Sequence, residues 1–107
     1  MKAYKNLKMV DVKEGKVVED CVILVEGEYF KEVGPNVEVP DKAEVIDLEG
    51  KTVVPGFIDA HIHSLSDASA NPHKVRDEEN DAVTVVKATN HLKKALAAGV
   101  TQIRGMG

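Results

Sequence analysis

Two histidines separated by one residue, His61 and His63, are the side chains in this sequence best suited to chemistry. They close an apolar run that begins at Phe57. Side chains alternate between the two faces of a β-strand, so we expect both imidazoles on one face, roughly 6.5 Å apart along the chain. At that spacing they can bind a single divalent metal ion, and Asp59 shares their face. The alternative is a pair of solvent-exposed histidines at a strand end, because short motifs also arise by chance.

The surroundings of the pair favour the metal site. Ile58, Ala60 and Ile62 give the opposite face of the strand an apolar character, which suits a surface covered by helices. Pro55-Gly56 precedes the strand, and a polar loop over residues 64–80 follows it. We therefore expect the histidines at the carboxyl end of a buried parallel strand, where barrel and doubly wound folds place their active sites.

The elements around this strand predict two domains, residues 1–54 and 55–107. Turn residues in the first separate short strands, one beginning near Leu7 and others over residues 17–25, 29–33, 44–48 and 52–54, with a turn at residues 49–51. This pattern predicts a small antiparallel β domain. In the second domain we expect a helix over residues 79–98 between strands 57–62 and 100–104, which makes a parallel βαβ unit. The helix is predicted from an apolar stripe: Val85, Ala88, Leu92, Ala95, Leu96 and Gly99.

Three segments of the sequence, in order, carry a family resemblance. The segment Pro55-Gly56-Phe57-Ile58-Asp59-Ala60-His61-Ile62-His63 resembles the opening signature of the amidohydrolase superfamily, in which Pro-Gly leads to an acid and then His-x-His. Residues 45–54 look like the passage from the small β domain into the barrel. Residues 95–104 are similar to the helix-to-second-strand region, nearest the prolidase-like peptidases and the imidazolonepropionase-related hydrolases. Prolidase-like members usually carry an acid directly after the arginine of this region, whereas Gly105 follows Arg104 here. This difference weakens any assignment of a substrate from the second strand.

The resemblance implies a β-sandwich-like domain followed by the first βαβ unit of an incomplete metal-dependent-hydrolase (β/α)8 barrel. It implies that His61 and His63 bind the more buried ion of a one- or two-zinc site. A later carboxylated lysine or acid, two more histidines and an aspartate proton shuttle would complete that site. The implied reaction is hydrolysis of a C–N bond in a small-molecule substrate by metal-activated water. Two histidines leave a catalytic zinc short of ligands, so the 107-residue piece alone is expected to be inactive.

Other reactive side chains have plainer interpretations. His73 lies in the polar loop and is expected to be solvated or adjacent to substrate, and His91 is expected on the helix surface. Arg104, near a strand end, suits either a substrate carboxylate or a structural ion pair. The single cysteine, Cys21, sits in an apolar run and is expected to be a buried core residue.

The composition argues against some classes of binding partner, and one alternative function stays open. The net charge is −4 with both signs interspersed, and Arg76 and Arg104 are the only arginines, so nucleic-acid binding is not expected. No stretch is apolar enough for a membrane span or a signal peptide, which predicts a cytoplasmic protein. The alternative is a non-catalytic, stand-alone module or an inactive fragment that self-associates. In either case we expect open strand edges and apolar surface to be covered by a second copy or by further chain.

Overall fold

The computed structural model describes residues 1–66 and 69–106 and divides the chain into two units, Met1–Pro55 and Gly56–Gly107. Asp67 of the predicted polar loop lies outside the described residues, as do Ala68 and Gly107. The elements in chain order are β1 Lys2–Asp11, β2 Lys16–Glu26, β3 Tyr29–Gly34, β4 Glu44–Val53, β5 Phe57–Ile62, α1 Pro72–Glu78, α2 Asp81–Ala97 and β6 Val100–Gly105.

The first unit is a four-stranded mixed sheet in the order β3-β2-β1-β4. Hairpins make β1–β2 and β2–β3 antiparallel, and the second closes through a tight turn in which Gly27 adopts a φ of 62°. Residues 35–43 then carry the chain to the far side of β1, where β4 pairs parallel to it. The prediction of an antiparallel, sandwich-like domain is therefore wrong for β4. A sequence pattern locates strands, but it does not say on which side of the sheet a returning strand pairs.

A row of bulges crosses this sheet through three neighbouring strands. Asn6 in β1, Asp20 in β2 and Glu49 in β4 all have left-handed backbone, with φ of 54°, 51° and 53°. Asp47 is hydrogen-bonded to the residues at two of these bulges: its Oδ1 accepts from Asn6 Nδ2 at 2.9 Å and from the Glu49 amide at 2.8 Å. The Glu49 amide, then the Asn6 side chain, lowers the pKa of the Asp47 carboxyl. The turn predicted over residues 49–51 is thus a bulge within a single strand.

The bulges let one face of the sheet collect its apolar residues. Strict alternation would put Leu7 on the face opposite Tyr4, whereas the extra residue at Asn6 returns it to the same face. Leu7 and Cys21 are the largest fully buried side chains, so the prediction that Cys21 belongs to the core is confirmed. The cluster comprises Leu7, Cys21 and Ile23, with Tyr4, Met9, Val18, Val25, Leu48 and Val53 packed against it. Burial raises the pKa of the Cys21 thiol.

The second unit has the predicted parallel pair of strands, β5 and β6, with α2 packed on β6. Asn80 caps α2 by accepting from the Ala82 amide at 2.8 Å, and Gly99 follows the helix with a φ of 96°. A short helix, α1, lies within the predicted loop. Asn71 caps it, and a proline stands at its start, where a missing amide hydrogen costs nothing.

The buried side of α2 is rotated from the predicted stripe. Ala88 is buried as expected, but Thr84 replaces Val85 as the other buried residue. Val85 and Leu96 are 58% and 61% exposed. These two members of the predicted stripe therefore lie outside the buried side of the helix. Among the described helices, none combines the length and the apolar character needed to cross a bilayer.

Candidate metal centre

The histidine pair stands at the carboxyl end of β5. His61 is the penultimate residue of the strand, and His63 follows its last residue. The Met106 amide donates to the Ile62 carbonyl at 2.9 Å, which anchors this end of β5 beside the end of β6. A turn begins at once, because the Ser66 amide donates to the His63 carbonyl at 3.1 Å. The chain thus leaves the sheet immediately beyond the two imidazoles.

The structure brings the two imidazoles together on one side of the strand. Their Nε2 atoms are 3.1 Å apart, and the ring centroids are 5.1 Å apart with the planes at 62°. Two nitrogens each about 2.05 Å from a tetrahedral zinc ion would be about 3.3 Å apart, and about 2.9 Å apart at a right angle. The observed separation falls between these values. Both side chains are exposed, so an ion can reach them from solvent.

A hydrogen bond between the rings is compatible with the same separation. One Nε2 then carries the proton that the other accepts, and the tautomers of His61 and His63 differ. A metal ion bound by both Nε2 atoms requires both to be unprotonated, so each ring would carry its proton on Nδ1. The geometry therefore supports either a shared proton or a shared cation at the same point.

Asp59 lies on the same strand, but its carboxylate is hydrogen-bonded to the backbone. Its Oδ1 accepts a hydrogen bond from the His61 amide at 3.1 Å. Across residues 1–66 and 69–106, no group of three His, Cys, Asp or Glu side chains is placed to hold a metal ion. The two imidazoles thus provide two ligands, one fewer than the three protein ligands typical of catalytic zinc.

The remaining candidates lie apart from the pair. His73 is exposed on α1, and Arg104 is exposed on β6. The expectation that His91 lies on the helix surface is wrong in part, because it is half-buried in a narrow cleft that Glu79 and Lys87 also line. Glu79 and Lys87 form an ion pair there. Helical spacing from Ala88 and Ala95 places His91 on the side of α2 that packs inward, which a stripe of apolar residues alone could not reveal.

Comparison with known proteins assigns the family. The model of the amidohydrolase family matches residues 44–102, more than half of the chain. The chain belongs to this family. The match begins at the first residue of β4 and ends within β6, so it includes the histidine pair. The resemblance inferred from the three sequence motifs is confirmed.

Individual relatives agree with this assignment. An imidazolonepropionase from Micrococcus luteus is 37% identical over 54 residues, which cover 50% of this chain and 14% of that enzyme. A dihydroorotase from Staphylococcus aureus is 35% identical over 63 residues, covering 59% of this chain and 14% of the enzyme. The chain thus spans about a seventh of the length of these two relatives.

Solved structures match almost the whole chain. A prolidase complexed with N-methylphosphonate-L-proline superposes with a TM-score of 0.87 at 27% identity, covering 99% of this chain and 26% of the prolidase. An atrazine chlorohydrolase from Arthrobacter aurescens, complexed with zinc, has a TM-score of 0.75 at 21% identity. It covers 98% of this chain and 28% of that enzyme, and it is a likeness of fold.

Proposed function

We propose that this chain is the N-terminal part of a metal-dependent amidohydrolase that hydrolyses C–N bonds, amide or peptide-like, in small-molecule substrates. The observation that carries the proposal is the 3.1 Å separation of His61 Nε2 and His63 Nε2 at the carboxyl end of a parallel strand. Membership of the amidohydrolase family and the likeness to a prolidase and an imidazolonepropionase support it.

In this proposal His61 and His63 hold a divalent cation, most simply zinc. Imidazole nitrogens are suitable zinc ligands, and their spacing is compatible with one ion. A zinc-complexed enzyme among the structural neighbours favours the same metal. When bound, zinc lowers the pKa of its water ligand to about 7 and polarises a carbonyl group. The part of the two histidines is to fix the ion at the strand end, within reach of solvent and substrate.

The rest of the proposed enzyme would supply the other ligands and the proton-transferring groups. We propose that β5, α2 and β6 are the first strand, helix and second strand of a (β/α)8 barrel. Exposed apolar side chains support further covering of this unit: Phe57 is 58%, Ile58 is 65% and Leu96 is 61% exposed. Single exposed apolar residues are ordinary, but a group in so small a unit favours contact with more chain or with a second copy. A cytoplasmic location remains part of the proposal.

Metal binding by single-histidine variants of the full-length protein tests the assignment. A structural zinc site of four ligands is worth about 12 kcal/mol, or about 3 kcal/mol per ligand, which corresponds to roughly 100-fold in affinity. We expect His61→Ala and His63→Ala each to weaken zinc binding by about this factor, measured by competition with a chromophoric chelator. His73→Ala is the matched control, because His73 is an exposed histidine of the same unit. It should leave the affinity unchanged.

Hydrolysis of a panel of N-acyl amino acids, dipeptides and cyclic amides, assayed in parallel, should show loss of turnover in the two site variants alone. Zinc affinity in His61→Ala equal to that of the wild type would remove the basis of the proposal. The alternative of a non-catalytic module receives no support from the family comparisons. It would gain support only if the full-length protein bound no metal and formed a stable, monodisperse oligomer.

A further inference from the structure

The strand that carries the histidines is bulged beside them. Asp59 pairs with Ile103, and the next pair is Ile62 with Gly105. Between these pairs β5 advances by three residues and β6 by two, so β5 contains one extra residue around Ala60 and His61. Bulges occur often next to active sites, where they redirect a side chain.

The side chain of Asp59 forms a hydrogen bond across this bulge. Its Oδ1 accepts from the His61 amide at 3.1 Å, a bond between an aspartate and the backbone two residues further on. Aspartate is well suited to such local bonds, because its short carboxylate reaches the amide without distorting the chain. Asp59 is exposed, so burial does not require its carboxylate to find this partner. The bond links the Asp59 side chain to the backbone at His61.

The direction of the His61 ring depends on that backbone. In a regular strand, side chains two residues apart project in parallel about 6.5 Å from each other. Here the rings approach edge to face, with Nε2 atoms 3.1 Å apart. His63 lies beyond the strand, in a turn held by its own carbonyl. The bulge therefore lies at one of the two residues whose rings converge, where the backbone contributes to the direction of the His61 ring.

We propose that Asp59 is a positioning residue: its carboxylate holds the bulge at His61 and thereby sets the separation of the two imidazole Nε2 atoms for one divalent cation. This inference rests on the proposed metal site, and it assigns Asp59 no contact with the ion. The role needs a hydrogen-bond acceptor at Oδ1, and it does not need a negative charge.

Two substitutions at Asp59 separate this role from the others that a carboxylate can have. Asp59→Asn keeps an oxygen acceptor and removes the charge, whereas Asp59→Ala removes both. Groups that orient a metal ligand typically change metal affinity by 10- to 100-fold when mutated. We expect Asp59→Ala to weaken zinc binding to the full-length protein at least 10-fold, and Asp59→Asn to stay within about threefold of the wild type. Asp11→Ala is the matched control, because Asp11 Oδ1 makes the same kind of bond, accepting from the Lys13 amide at 3.0 Å, in the first unit of the chain.

Crystal structures of the metal-free variants measure the separation of the His61 and His63 Nε2 atoms directly, and this measurement does not depend on metal binding. The Nε2 separation should stay near 3.1 Å in Asp59→Asn and exceed about 4 Å in Asp59→Ala. Equal losses of affinity in both variants would show that the charge matters and would overturn the inference. So would an unchanged Nε2 separation in Asp59→Ala. If the wild type binds no zinc, the proposed function fails, and the two crystal structures still decide whether Asp59 positions the rings.

Discussion

Gly56 is expected to tolerate no side chain, because Thr101 occupies the space that a side chain would need. A Cβ built on Gly56 would lie 2.8 Å from Thr101 Cβ, with Thr101 Oγ1 and Cγ2 closer still. Ordinary contact begins at 3.4 Å, so the two segments would have to separate by at least about 0.6 Å even if Thr101 rotated its closer Oγ1 and Cγ2 atoms away. Overpacking of this kind costs about 1–3 kcal/mol, and the lower entropy of an unfolded alanine offsets about 0.4–1 kcal/mol. We expect Gly56→Ala to lower the free energy of unfolding by about 1–2 kcal/mol.

A double-mutant cycle identifies the cause. Thr101→Gly removes all three of the nearest side-chain atoms, so in that background Gly56→Ala should be neutral or slightly stabilising. The two substitutions should therefore show a favourable interaction energy of about 1–3 kcal/mol, measured by urea denaturation of the full-length protein. Additive effects, with an interaction below about 0.5 kcal/mol, would refute the steric explanation. Gly105→Ala is the control, because a Cβ at Gly105 would meet nothing within 4 Å.

Two further predictions concern the sheet of the first unit. Cys21 is 0% exposed, and burial raises the pKa of its thiol. We therefore expect Cys21 to react with a disulfide reagent at least about 100-fold more slowly in the native protein than in urea. Equal rates would contradict its place in the core. Asp47 has a lowered pKa, so the stability that its charge contributes is present above the ordinary carboxyl range and is lost as pH falls through the folded pKa. Asp47→Asn should therefore lower Tm at neutral pH, and its difference from the wild type should shrink in acid; a difference independent of pH would rule this out.

Patterns of apolar residues were sufficient to predict the strands and the main helix, but not the exceptions to regular alternation. Asn6 and Glu49 take left-handed backbone, which polar residues adopt more easily than β-branched ones, yet neither residue type demands it. The sequence therefore predicted a turn where β4 continues through a bulge. The same limit applies to α2, where Thr84 is buried and Val85 is exposed because the surface that meets β6 depends on packing, which periodicity only approximates.

The candidate site was more predictable than the fold around it. Alternation in a strand predicted that His61 and His63 share one side, and in the structure their Nε2 atoms are 3.1 Å apart, although β5 is bulged beside His61 and His63 lies beyond the strand. The role of Asp59 was not predictable in the same way, since alternation only groups it with the histidines. Its bond to the His61 amide depends on a bulge, and a bulge depends on the register against β6. An aspartate two residues before a ligand histidine is a local signal that suggests such a bond, but the strand register decides it.

The register of β5 against β6 links the start of the strand to the metal site at its end. From Phe57 opposite Val100 to Ile58 opposite Gln102, β6 advances one residue more than β5, and that extra residue is Thr101. The later bulge in β5 reverses this shift, so the two irregularities cancel. Thr101 fills the space that the missing side chain of Gly56 leaves open, which allows the first irregularity, and the Asp59 carboxylate closes the second. The Pro-Gly and Asp-x-His portions of the motif therefore lie at the two irregularities in the register of β5 against β6.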